Sequence, residues 1–105
     1  MTIVEQRDYH VFTGKLNEVV RLYADEGIAI QQEILGGLIA VFTTDVGALS
    51  TYTSLWRYES FGEREERRAR LQADERWQRF LGKIQPLIHT QQNRILVPTP
   101  FSPLR

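Results

Sequence analysis

The sequence predicts an α+β domain with a four-stranded antiparallel sheet and elements in the order β-α-β-β-α-β, and three observations carry this. Runs rich in β-branched and aromatic residues open the chain at Ile3 to Phe12, and a further strand pattern closes it at Gln91 to Val97. Two more runs, Leu38 to Thr44 and Leu49 to Tyr58, flank the turn residues Asp45-Val46-Gly47-Ala48 and read as a hairpin. Between these pieces lie stretches whose apolar residues recur at spacings of three and four, the mark of amphipathic helices.

In the first strand, period two places Ile3, Glu5, Arg7, Tyr9 and Val11 on one face and Val4, Gln6, Asp8, His10 and Phe12 on the other. Both faces mix apolar with polar groups, so one is expected to meet helices and the other to line a partly polar cavity. Thr13 can cap a helix that begins near Gly14 and carries Leu16, Val19, Val20 and Tyr23 on one side. Gly27 is the expected stop, with Ile28 to Glu33 adding a short turn of helix before Gly36-Gly37.

After the hairpin, Ser60-Phe61-Gly62-Glu63 matches a capping box, in which the serine hydroxyl and the glutamate carboxylate each satisfy a free backbone N–H. From Glu63 to Arg70 the residues are almost all charged, and the pairs Glu63/Arg67 and Glu66/Arg70 at i,i+4 spacing each contribute about 0.2–0.5 kcal/mol. With acidic partners interleaved, that run reads as a solvated helix face and not as an RNA-binding stripe. Asp74 caps a further helix in which Trp77, Phe80, Leu81, Ile84, Leu87 and Ile88 form the strongest amphipathic stripe of the chain. Pro86 should bend it, because its ring removes one hydrogen bond and crowds the carbonyl of Gly82. The final strand then completes the split βαβ, ferredoxin-like order.

A chain of 105 residues is a single domain, 1–105, burying roughly two-thirds of the surface its unfolded form exposes. Thirteen basic residues cancel thirteen acidic ones, so the field that drives non-specific nucleic-acid binding is missing and no nucleic-acid partner is expected. The absence of cysteine removes disulfides, thiolate metal sites and a cysteine nucleophile, and it fits a cytoplasmic setting. The opening Met1 to Asp8 lacks the apolar run of a signal or transit peptide, and no stretch approaches the roughly 20 apolar residues of a membrane span.

His10 and His89 are the two histidines, and neither has an acidic residue at a helical ligand spacing, so no metal is expected. His89 is expected in the last turn of a helix, where the dipole favours an imidazolium. No Gly-x-Ser-x-Gly elbow, phosphate loop or dinucleotide fingerprint occurs, so no cofactor is expected either.

The candidate binding residues come from the strands. Glu5, Arg7 and Tyr9 stand two residues apart on one face, where a carboxylate, a guanidinium and a phenol can hold a polar ligand or position a proton. Tyr52, Ser54, Trp56 and Tyr58 share a face of the third strand, and aromatic walls around a few polar groups suit a small-molecule pocket, although strand aromatics also serve as core. Asn93 and Arg94 point to opposite faces of the last strand, and Arg94 is the one chosen as a cavity or interface group. Beyond that strand, Pro98-Thr99-Pro100-Phe101-Ser102-Pro103-Leu104 makes an extended arm, 98–105, with Phe101 and Leu104 as its apolar anchors.

Glu5-Gln6-Arg7-Asp8-Tyr9, Gly14-Lys15-Leu16, Phe42-Thr43-Thr44, Leu55-Trp56-Arg57-Tyr58 and the ending Asn93-Arg94-Ile95-Leu96 with its proline arm together resemble the NIPSNAP family. The family's Glu-x-Arg-x-Tyr pattern is kept through Glu5, Arg7 and Tyr9, while Ser54 stands where a histidine often precedes the Leu-Trp pair. The resemblance implies a dimeric α/β barrel, in which two four-stranded sheets pack face to face; the proline arm is the natural candidate to reach across, the competing view being that it folds back on its own subunit. It further implies a homodimer that binds a small apolar or aromatic metabolite or a protein partner. A cofactor-independent monooxygenase or isomerase acting on an aromatic substrate is the alternative, with Arg7, Tyr9 and Trp56 as its working residues.

Overall fold

In the computed structural model, which describes residues 1–105, the chain runs β1 (Ile3–Val11), α1 (Leu16–Leu22), a π-helical turn (Tyr23–Gly27) and α2 (Ile28–Leu35). It continues through β2 (Leu38–Thr43), β3 (Thr51–Tyr58), α3 (Phe61–Ala73), α4 (Glu75–Ile84), a 3-10 turn (Gln85–Leu87) and β4 (Ile88–Leu96). The strands form one antiparallel sheet in the order β2-β3-β1-β4, the ferredoxin-like α+β arrangement read from the sequence. β1 is central, so Arg7 lies opposite Ser54 on one side and Asn93 on the other.

The helices cover one face of the sheet. Ile3, Glu5, Arg7, Tyr9 and Val11 are buried, as are Tyr52, Ser54, Trp56 and Tyr58 from β3. Between them in β1, Gln6, Asp8 and His10 are only half-buried. The expected division of labour between the faces is therefore corrected: the polar trio Glu5, Arg7 and Tyr9 lies under the helices, within the core. From α4, Trp77, Phe80 and Ile84 close that core, each burial contributing roughly 1.5–3 kcal/mol.

Local chemistry sets the element ends. Gly14 adopts a φ of 84° in the turn after β1, and α1 begins one residue past Lys15 without a side-chain cap, so Thr13 does not serve as one. Gly36, with a φ of 80°, ends α2 where a Cβ would be strained. The Ser60 hydroxyl accepts from the Glu63 N–H at 3.0 Å, and the Glu63 carboxylate reaches back to the Glu59 N–H at 2.7 Å, one residue earlier than in a standard capping box. Asp74 accepts from the N–H groups of Arg76 and Trp77 at 2.8 and 3.3 Å, and the hydrogen bond from the Arg76 side chain is the main influence holding its carboxyl down at about 2.

Two expectations about helix ends are corrected. Pro86 ends α4 instead of bending it: the helix stops at Ile84, a 3-10 turn holds the proline, and Ile88 already starts β4. His89 thus stands on a strand, its ring 4.8 Å from that of Phe12. Gly27 is no stop, because its φ of −68° is helical and the chain passes through it from the π-turn into α2. Its role is close approach, since a Cβ there would lie 2.5 Å from a ring carbon of the buried Phe80.

Gly27→Ala weighs two effects of opposite sign. Helix propensity favours alanine by about 0.8–1 kcal/mol, whereas overpacking a core typically costs about 1–3 kcal/mol. With three Phe80 ring carbons inside 3 Å, the clash wins, and a net loss of about 1–2 kcal/mol is expected. Urea unfolding checks this; an unchanged midpoint would show that the ring has room to move.

Candidate functional site

Alternation along β1 delivers Glu5, Arg7 and Tyr9 to the helix-covered face, and the fully buried Leu71 fixes which side of α3 looks inward. Seven and three residues before it, on the same helix surface, come Arg64 and Arg68. Three guanidiniums thereby surround one carboxylate. Glu5 Oε2 accepts from Arg7 Nη1 at 3.0 Å and from Arg64 Nη2 at 2.8 Å, with no side-chain surface of Glu5 exposed. Arg7 Nε donates to the Tyr9 hydroxyl at 2.9 Å. From β4, Asn93 turns its carbonyl oxygen to Arg7 Nη1 at 2.9 Å while its NH2 donates to the Gln92 backbone oxygen at 3.0 Å.

Burial, the largest influence on Glu5, raises its pKa, but the Arg64 hydrogen bond and the charges of Arg7, Arg64 and Arg68 outweigh it and hold the carboxyl below its ordinary value. The Arg68 guanidinium is likewise held below its ordinary value, first by burial and next by the neighbouring Arg7 charge. Burial also pushes the hydroxyls of Tyr23, Tyr52 and Tyr58 upward, so they stay protonated at neutral pH.

A cavity of about 340 Å³ opens between this polar floor and the last two helices. Arg7, Tyr9, Tyr23 and Arg68 make its polar and aromatic side, and Trp77, Leu81, Ile84 and Ile88 its apolar wall. Three exposed glutamines, Gln72, Gln85 and Gln91, complete its rim. The π-turn supplies Tyr23: its ring packs 4.5 Å from Tyr52 and 4.9 Å from Phe80, at the point where an extra residue in the turn shifts the helix register.

Of the residues singled out in the sequence, Glu5, Arg7 and Tyr9 come together, and Arg7 and Tyr9 line the cavity. Tyr52 stacks on both Tyr9 and Tyr23, which also stack on each other, and borders a shallower apolar recess with Val20 and Val41. Trp56 is fully buried, its indole N–H donating to the Ser54 hydroxyl at 3.0 Å, and it does not line the cavity. Tyr58 is equally buried, with its hydroxyl unpartnered. Arg94 pairs with Gln6 on the open face, so it does not enter the cavity, and Asn93 is the β4 residue that faces Arg7. Of the arm, Leu104 lies in a groove of its own subunit's open face with Val4, Ile39 and Leu55, while Phe101 is 84% exposed.

Arg64, Arg68 and Trp77 are the site residues that the sequence reading missed as such. The signal was present in the spacing Arg64, Arg68, Leu71, where the position of the α3 leucine marks the inward side.

A family model described as NIPSNAP matches residues 4–103. Protein NipSnap homolog 1 of Danio rerio is 32% identical over 106 residues, covering 98% of this chain and 36% of that protein, so the chain spans about a third of the length of the curated relative. Among solved structures, a NIPSNAP family protein from Agrobacterium tumefaciens is 50% identical, with a TM-score of 0.98 over 100% of both chains. A Nitrosomonas europaea protein described as "Putative antibiotic biosynthesis monooxygenase" shares the fold alone, with a TM-score of 0.67 over 91% of this chain and 97% of that one at 7% identity. A family match from β1 into the arm, and a half-identical relative with the same fold throughout, place the chain in the NIPSNAP family.

Proposed function

We propose that the protein is a homodimer whose subunits each bind a small apolar or aromatic metabolite in the cavity between the sheet and the pair α3 and α4. The observation that carries this is the cavity itself: about 340 Å³, within the usual range of ligand sites, with an apolar wall opposite a polar end. The homodimer rests on the open sheet face, where Phe42 and Leu96 are exposed and no helix provides cover. Binding is favoured over catalysis because Trp56, one of three residues an enzyme of this type would use, lies outside the cavity.

Native mass spectrometry of the purified protein is expected to show a retained small molecule. In thermal-shift titrations with the released molecule, Arg7→Ala should lose about tenfold or more in affinity while remaining folded, since Arg7 lines the polar end and its Nε fixes the Tyr9 hydroxyl there. Equal binding by the variant would reassign Arg7 to structure, and a protein that retains and binds nothing would remove the reading.

A further inference from the structure

We infer that the cavity takes its ligand as an organic carboxylate anion, with Arg68 as the guanidinium that meets it and the wall of Trp77, Leu81, Ile84 and Ile88 holding the apolar body. This rests on the cavity being the ligand site and concerns what that site selects. Three guanidiniums share one carboxylate at the cavity floor, and the sharing is unequal. Arg7 and Arg64 both reach Glu5 Oε2. Arg68 forms neither an ion pair nor a side-chain hydrogen bond, and its Nη1 is buried without an acceptor.

Buried donors are almost always paired, and a buried charge without a partner more so, which makes this position a demand for negative charge that the protein itself does not meet. Trp77 repeats the pattern: its indole N–H is buried without an acceptor and belongs to the same cavity. The nearby tyrosines supply no charge, since burial keeps Tyr23 and Tyr52 protonated.

The chemistry favours a carboxylate in particular. Arg7 already spends Nε on Tyr9 and Nη1 on Glu5, so Arg68 is the one uncommitted fork, and one guanidinium fork matches one carboxylate in a bidentate pair. The aromatic and aliphatic wall then suits an aryl or short alkyl body.

Isothermal titration of the wild type, Arg68→Gln and Arg68→Lys with cinnamate, cinnamamide and phenyl phosphate tests this, with circular dichroism melts to confirm that each variant is folded. The wild type should bind cinnamate about tenfold or more tightly than the neutral amide. Arg68→Gln should erase that preference while keeping affinity for the amide, and Arg68→Lys, which keeps the charge but not the fork, should retain part of it. If Arg68→Gln fails to fold, a reduced preference in Arg68→Lys supports the assignment and an unreduced one overturns it.

Equal binding of acid and amide by the wild type would overturn the carboxylate and leave the cavity reading intact. A full preference surviving in folded Arg68→Gln would overturn Arg68. Tighter binding of phenyl phosphate than of cinnamate would overturn the carboxylate in favour of a phosphomonoester. No binding of any of the three overturns the inference, and a small molecule still retained in native mass spectrometry would then show that the cavity reading survives without it.

Discussion

Glu5→Ala is expected to cost about 3–5 kcal/mol of folding stability, because it removes the carboxylate and leaves buried guanidiniums uncompensated. The side chain of Glu5 is 0% exposed and that of Arg7 8%, so solvent screens their pairing poorly. Arg64, at 25% exposure, can turn outward when its acceptor is lost, but Arg7 is held beneath α3 and α4 and cannot. Most of the cost therefore comes from Arg7. Glu5→Gln, which keeps one acceptor oxygen, should lose less.

The same network sets a pH dependence whose sign follows from the Glu5 shift. Its carboxyl is lower in the folded protein than its ordinary value of 4.5, so the folded state binds the proton less readily than the unfolded chain. The contribution is fully present above 4.5 and is lost as pH falls from there through the lower, folded value. Guanidinium-chloride unfolding at neutral pH and at mildly acidic pH measures both effects. Glu5→Ala should be less stable at neutral pH and show a flatter acid limb than the wild type. A variant with wild-type stability at neutral pH would mean that Arg7 finds water, and the buried network would lose its structural role.

Strand and helix identity was legible because the periodicities were clean. Alternation put Glu5, Arg7 and Tyr9 on one face, and the spacing from Trp77 to Ile84 marked the core side of α4. What was not legible depended on contacts distant in sequence. Gly27 reads as a helix stop in isolation and becomes a packing position only once Phe80, more than fifty residues later, lies against it. Choosing between Asn93 and Arg94 required the register of β4 against β1, which neighbouring residues do not determine. Arg64 and Arg68 were hidden in a charged run whose acidic members, such as Glu63 paired with Arg67 at 2.8 Å, do form the solvated face that the composition predicts. A helix with one strongly buried apolar position can bring arginines into a core when a carboxylate such as Glu5 already waits there.

A chain stopped after Val97 is expected to dimerise about a hundred- to ten-thousandfold more weakly than the full chain, while its subunit fold survives. The sheet ends at Leu96, so every strand and helix lies within the shortened chain. What is lost is Phe101, 84% exposed in the single subunit, and Leu104, which lies with Val4, Ile39 and Leu55 on the open face that the proposed partner covers. Burying a phenylalanine side chain contributes roughly 1.5–3 kcal/mol, the dimer loses one such ring from each subunit, and each 1.4 kcal/mol is about a tenfold change in the dissociation constant. Leu104 acts differently, because it lines an apolar groove of its own subunit with Val4, Ile39 and Leu55, and shortening it opens that groove further. The two anchors therefore separate in a measurement. Phe101→Ala should weaken dimerisation with little effect on the unfolding of the isolated subunit, whereas Leu104→Ala should lower stability at every protein concentration. Sedimentation equilibrium across a concentration series decides this for both point variants and the truncated chain. An unchanged dissociation constant for Phe101→Ala would show that its ring meets solvent in the dimer as well, and a full-length chain that is monomeric at micromolar concentration would leave the open face without the proposed cover.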